Sequence, residues 1–216
     1  MKPHRDSGYY FDIMTPLRTL PLLLALCATP LAVAGEAEDL FDAGVEAASS
    51  GNHREAADRW RQAAGLDHAD AAFRLGALYQ EGLGVEQDYA RAVEWYRRAA
   101  AEGNESAWFN LGHMHAKGQG VKKDAAEAVR WYERAARNDN AYAQYALGML
   151  HFHGGAGLQP DMEATWFWLT VATENFGANA FRDNANDVRQ RAVDRMTEAQ
   201  LNAARQRLGG WQAAQE

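Results

Sequence analysis

Four histidines in two close pairs, His113-Met114-His115 and His151-Phe152-His153, are the side chains best suited to chemistry in this chain. Imidazole can ligate a divalent metal or titrate near neutral pH. Residues i and i+2 on a helix point roughly 200° apart, so His113 and His115 cannot chelate one ion together. His115 and His151 lie 36 residues apart, and the residue 36 before His115 is Tyr79. They occupy one recurring position. In a stacked array they would be neighbours, able to form a metal site or a pH-sensitive seam. No acidic or cysteine ligand falls at a companion position. The expected role is packing, with each His replacing a Tyr and making one hydrogen bond. No cofactor is implied.

Other catalytic signatures are missing. There is no Gly-x-Ser-x-Gly, no Walker loop and no zincin motif. The Gly-x-Gly loops do not follow strands, which removes a dinucleotide reading. Glu102, Glu127 and Glu133 sit among arginines at helix-surface spacing and read as solvated ion pairs.

The elements that position these residues repeat. Residues 69–104, 105–140 and 141–177 align at periods of 36, then 36, with one loop residue added in the third. Ala71, Ala107 and Ala143 match, as do Leu75, Leu111 and Leu147, and Gly76, Gly112 and Gly148. Trp95, Trp131 and Trp168 align in the second half, behind Asp88, Asp124 and Asp161. Ala71, Leu75 and Tyr79 are four apart and share one helical face. Gly76 clears a side chain where a partner helix approaches. Ala92, Trp95 and Ala99 are expected to form the facing surface of that partner. Gly82-Leu83-Gly84-Val85 recurs as Gly118-Gln119-Gly120-Val121, a compact loop in which glycine permits positive φ and the valine plugs inward. The aspartates are placed to cap the second helix. One such hairpin cannot bury its own apolar face, whereas a stack of hairpins can.

The pattern Ala-x3-Leu-Gly-x2-Tyr, Gly-x-Gly-Val-x2-Asp, Ala-x2-Trp-x3-Ala-Ala resembles the Sel1-like repeat family, a relative of the tetratricopeptide repeat. The resemblance covers roughly residues 37 to 177. The third unit departs from it in the loop Gly154-Gly155-Ala156-Gly157-Leu158 and carries Thr165 and Thr173 at alanine positions. The resemblance implies an all-α fold, a right-handed α-α superhelix (solenoid) of helical hairpins. It also implies that Phe73, Phe109 and Tyr145, at 36-residue steps, face a concave groove together with Ala77, His113 and Met149, with Tyr142 and Phe152 nearby. Aromatic side chains are favoured anchors for a partner, and an aromatic here could equally serve packing between repeats.

The flanks read differently. Residues 37–68 form a shorter, tetratricopeptide-like unit, with its turn at Ser50-Gly51-Asn52-His53 and a face of Ala56, Trp60, Ala63 and Ala64. Residues 178–216 keep no repeat and read as a helical C-terminal cap. One helix spans Asp183 to Arg195, and a second starts at the capping box Thr197-Glu198-Ala199-Gln200 and stops at Gly209-Gly210. Residues 1–34 read as a signal peptide starting at Met14. Arg18 is its positive flank, Leu20 to Leu26 its apolar run, and Ala32-Val33-Ala34 the cleavage site before Gly35. That run is too short to span a bilayer. Cleavage there would remove Cys27, the single cysteine, and leave a periplasmic or secreted chain without disulfides.

Composition narrows the function. The chain carries 29 acidic against 22 basic residues, net −7, and removing residues 1–34 leaves −8. Nucleic acid and anionic membranes need clustered cations, so neither is an expected partner. The expectation is a non-enzymatic scaffold or adaptor of the cell envelope that holds a protein or peptide segment in its groove. A hydrolase is the alternative, because a cysteine-rich branch of the resembled family is linked to β-lactam hydrolysis; this chain lacks that branch's paired cysteines. A third reading is a homo-oligomer or structural unit whose groove receives its own tail around Leu201 to Trp211.

Overall fold

Alanine and leucine at steps of three and four, with Asn or Asp ahead of most runs, give ten α-helices in the computed structural model, which describes residues 30–177 and 179–214. Leu20 to Leu26 and Cys27 lie outside the described residues. The helices are α1 Pro30–Ser49, α2 His53–Gly65, α3 Ala69–Glu81, α4 Tyr89–Ala101 and α5 Glu105–Lys117, then α6 Ala125–Ala136, α7 Ala141–His153, α8 Met162–Asn175, α9 Ala180–Val193 and α10 Glu198–Ala213. Among the described residues there is no strand, and no helix is long and apolar enough to cross a membrane. Each odd-numbered helix from α1 to α7 packs on the helix after it, each such hairpin packs on the next through α2 and α3, α4 and α5, and α6 and α7, and α9 packs on α8. This is an all-α solenoid.

The helix starts follow from their caps. Asp88 accepts from the backbone N–H groups of Ala90 and Arg91, Asp124 from Glu127 and Asp161 from Ala164. Asn52, Asn104 and Asn140 do the same for α2, α5 and α7. Each cap satisfies a backbone donor that has no partner inside its helix.

Within a hairpin, a glycine on the first helix receives a large side chain from the second. A Cβ on Gly76 would fall 2.8 Å from the Tyr96 ring, one on Gly112 2.6 Å from the Tyr132 ring, and one on Gly148 2.4 Å from the Leu169 side chain. The first hairpin uses the same device, since a Cβ on Gly44 would meet the Trp60 indole at 2.4 Å. Here the structure corrects the sequence reading of the second helix. Ala92 and Ala99 are buried as expected, but the ring between them that enters the core is Tyr96, not Trp95. Trp95 is only half-buried, and the Arg98 guanidinium lies 4.9 Å from its ring centre. Trp131 and Arg134 repeat that stack at 4.9 Å. Trp168 is buried, because α10 covers it.

Between hairpins, the interhelical loop sits on the preceding unit. Gly84 and Gly120 have φ near +70°, and a Cβ on either would come within 2.3 Å of backbone at the start of α2 or α4. Glycine is required there for both its conformation and its size. The divergent third loop keeps the same seat by another means: Ala125 N–H, at the start of α6, donates to Ala156 O at 2.8 Å. Val85 and Val121 pack partly buried against the core. Helix ends are tied across the seam too. Trp108 and Gln144, equivalent residues, donate to Ala100 O and Ala136 O at 3.1 Å. Thr165 and Thr173, at alanine positions, are buried with their hydroxyls donated to the carbonyls of Asp161 and Thr170.

The C-terminal helices differ from the reading at two places: α9 starts at Ala180 rather than Asp183, because Asn179 caps it, and ends at Val193 rather than Arg195, and α10 ends later. The capping box at Thr197 and Gln200 is present, but α10 does not stop at Gly209-Gly210. It continues to Ala213, because Trp211 packs edge-on against Phe167 at 5.8 Å and Trp168 at 5.4 Å. Burial of that ring outweighs the roughly 1 kcal/mol that each glycine costs in a helix interior.

The glycine contact gives a direct test. Gly112→Ala should destabilise the fold by about 1–3 kcal/mol, since the Tyr132 ring must move. Gly209→Ala, with nothing within 4 Å of its Cβ, should be neutral or stabilising by up to about 1 kcal/mol. Urea unfolding of the two variants would measure both, and equal midpoints would contradict the packing argument.

Candidate functional site

α5, α7 and α9 enclose an apolar cleft of about 670 Å³. Phe109 and His113 line it from α5, Tyr142, Tyr145 and Met149 from α7, and Phe181 from α9. Five of the eight residues expected in a groove are therefore brought together here. Phe181 was not expected, because it lies where the repeat pattern has ended. Its only sequence signal is an aromatic just after the Asn179 cap.

The aromatic row divides between packing and exposure. Phe73 is half-buried 5.7 Å from Tyr96, and Phe109 lies 5.6 Å from Tyr132, so both rings brace their own hairpins. Phe73 and Ala77 do not line the cleft. Tyr145 packs edge-on against Phe176 and Phe181, and its hydroxyl donates to Asn184 Oδ1 at 2.7 Å. Tyr142 meets the same two phenylalanines at 5.3 Å each but is 51% exposed, and Phe181 is 45% exposed. Phe152 faces elsewhere. It is buried in the core around Leu169 and Val188, with Arg191 and Arg195 over its ring at 5.0 and 4.8 Å. The helix spanning Leu201 to Trp211 packs on α8 through Leu208 and Trp211, so this tail does not fill the cleft.

The histidines form no metal cluster: among the described residues no three His, Cys, Asp or Glu side chains converge. The structure also corrects the expectation of one hydrogen bond each. His115 is buried and neither ring nitrogen has a partner; Nδ1 of His151 has none either. Tyr79, at the equivalent place, is reached by Arg61 at 3.4 Å and by Arg91 over its ring. The charged neighbours change along the array. His115 has Glu127, Arg97 and Asp124 around it, and His151 has Asp161, Glu133 and Arg207. Burial, the largest cause, pushes both imidazoles below their ordinary value. Burial and then Lys117 do the same for His113.

A second cleft, about 470 Å³, lies between α2 and α4 around Tyr79. Arg61 and Arg91 there are paired with Asp58 and Asp88, which leaves little net charge for a ligand.

Because the folded state favours neutral His115, its stability is full above the unfolded-chain value near 6.5 and declines as pH falls through the lowered folded value. His115→Leu should lose less stability than the parent between pH 7.5 and 5.5, above the range where carboxylates titrate. Urea midpoints at the two pH values would show this; an identical loss in parent and variant would refute it.

Comparison with known proteins fits this geometry. The Sel1 repeat family profile matches residues 69–104, 106–140 and 141–175. The chain is similar to a Sel1 repeat protein from Oxalobacter formigenes, with 32% identity and a TM-score of 0.60 over 67% of this chain and 59% of that one. It shares its fold with c5321, a protective antigen present in uropathogenic Escherichia coli strains, at 24% identity and a TM-score of 0.50 over 84% of this chain and 48% of that one. The chain thus spans only about half to three-fifths of the length of these two proteins. No curated protein matches it. Three consecutive matched repeats, each with its glycine seated on the facing helix, place this chain in the Sel1 repeat family.

Proposed function

We propose that this protein is a non-enzymatic scaffold that holds a segment of a partner protein in the cleft between α5, α7 and α9. The family supports this coarsely, since Sel1 repeats are commonly protein-interaction scaffolds. The observation that carries it here is the pair Tyr142 and Phe181, two large rings left about half exposed beside an apolar cavity. Large side chains are usually driven inward, and a contiguous exposed apolar surface marks a binding site. Rings supported by a rigid scaffold also lose little entropy on contact, which suits them as anchors.

The exported location belongs to the same proposal. Ala37 is the first buried residue among those described, so cleavage after Ala34 would leave the packed core whole. Packing alone would then stabilise a mature chain without cysteine.

Phe109 and Tyr145 are poor probes of the cleft, since each also braces the fold. Tyr142→Ala combined with Phe181→Ala removes exposed rings instead. The double variant should keep its helical circular dichroism and lose at least about tenfold in partner capture from an envelope extract, as expected for two aromatic anchors. Undiminished capture by the folded variant would reject the cleft as the binding site. The location is tested by intact mass of the exported protein, which should begin at Gly35; a retained residue 1–34 segment would reject it.

A further inference from the structure

Resting on the cleft as the docking site, we propose that its occupant is an acidic peptide segment, one that places a carboxylate beside an aromatic or aliphatic side chain. The charge of the lining argues for it. Every ionisable side chain at the cleft other than tyrosine is a base: His113, Lys117, Lys123 and His153. No Asp or Glu lines it, in a chain with 29 acidic and 22 basic residues. An acid-rich protein with an acid-free cleft presents a local field opposite to its net charge.

The two lysines are available as well as present. Both are exposed, and neither forms an ion pair with any described residue. In the α2–α4 cleft, by contrast, Arg61 and Arg91 are paired with Asp58 and Asp88. Lys117 ends α5, where a cation also offsets the partial negative charge of the helix terminus. Lys123 lies in the loop after α5 and is not used in that way. The net charge of −7 repels an acidic partner only at long range, and physiological salt screens that within about 8 Å. At contact, the unpaired lysines dominate. The apolar part of the segment would rest on Tyr142, Met149 and Phe181, and the carboxylate would reach the lysine rim, so charge sets orientation while ring burial holds the segment.

A random dodecapeptide phage library panned on the purified protein tests this. Enriched peptides should carry Asp or Glu adjacent to Phe, Trp or Leu. Measured by fluorescence polarisation, synthetic copies should bind about tenfold more weakly to K117E/K123E, and more weakly to the parent in about 0.5 M salt. They should also lose binding to Y142A/F181A. Enrichment of neutral or basic peptides that still need Tyr142 and Phe181 would overturn the acidic preference and leave the cleft standing. So would acidic peptides indifferent to K117E/K123E. No enrichment, or peptides indifferent to Y142A/F181A, would overturn both readings.

Discussion

Each hairpin closes on a point where its first helix has no side chain. Gly44, Gly76, Gly112 and Gly148 face Trp60, Tyr96, Tyr132 and Leu169 at distances that leave no space for a methyl group. The contact lets two helix backbones approach while a large side chain fills the space between them. It fixes the hairpin geometry, and every later contact inherits that geometry. The residue on the second helix can change from indole to phenol to isobutyl without loss of the device, because the requirement is volume opposite a glycine. The first hairpin has a shorter interhelical turn than the others and still keeps it.

Stacking adds a second, weaker set of constraints. The loop glycines touch backbone of the preceding unit, and Trp108 and Gln144 tie α5 and α7 to the ends of α4 and α6. All of these contacts join adjacent units only, as in any quasi-one-dimensional array. The third loop shows what is conserved in such a contact. Its sequence differs, yet a backbone hydrogen bond to Ala125 occupies the same seat. Chemistry can drift where shape and hydrogen-bond satisfaction are kept. The position filled by Tyr79, then buried His115, then half-buried His151 drifts in the other direction, losing the hydrogen bond that Arg61 makes to Tyr79 and gaining a sensitivity to protonation.

The array must also end. α9 packs on α8 and α7 where a further repeat would stand, and α10 returns across α8 to bury Trp168. This cap does more than cover a core. Asn184 holds the Tyr145 hydroxyl, and Phe181 completes the aromatic wall of the cleft. The candidate site is therefore built from two repeats and a non-repeat helix. Its exposed rings and unpaired lysines meet only in the tertiary structure.

The sequence by itself determined the fold class, the aspartate caps of the second helices, the hairpin repeat and the existence of an aromatic row at 36-residue steps. These are local or periodic, and periodicity converts a one-dimensional pattern into a stack. Much of the site was legible too: Phe109, His113, Tyr142, Tyr145 and Met149 do line one cleft. What the tertiary structure decided depended on neighbours that no period encodes. Trp95 and Tyr96 are adjacent, and only the helix crossing determines which one meets Gly76. Gly209 and Gly210 look like a helix end, yet burial of Trp211 carries α10 past them. Phe152 belongs to a core with α9, and Phe181 enters the cleft, because the cap approaches from outside the repeat. Side chains whose surroundings come from a non-repeating element cannot be placed by repetition.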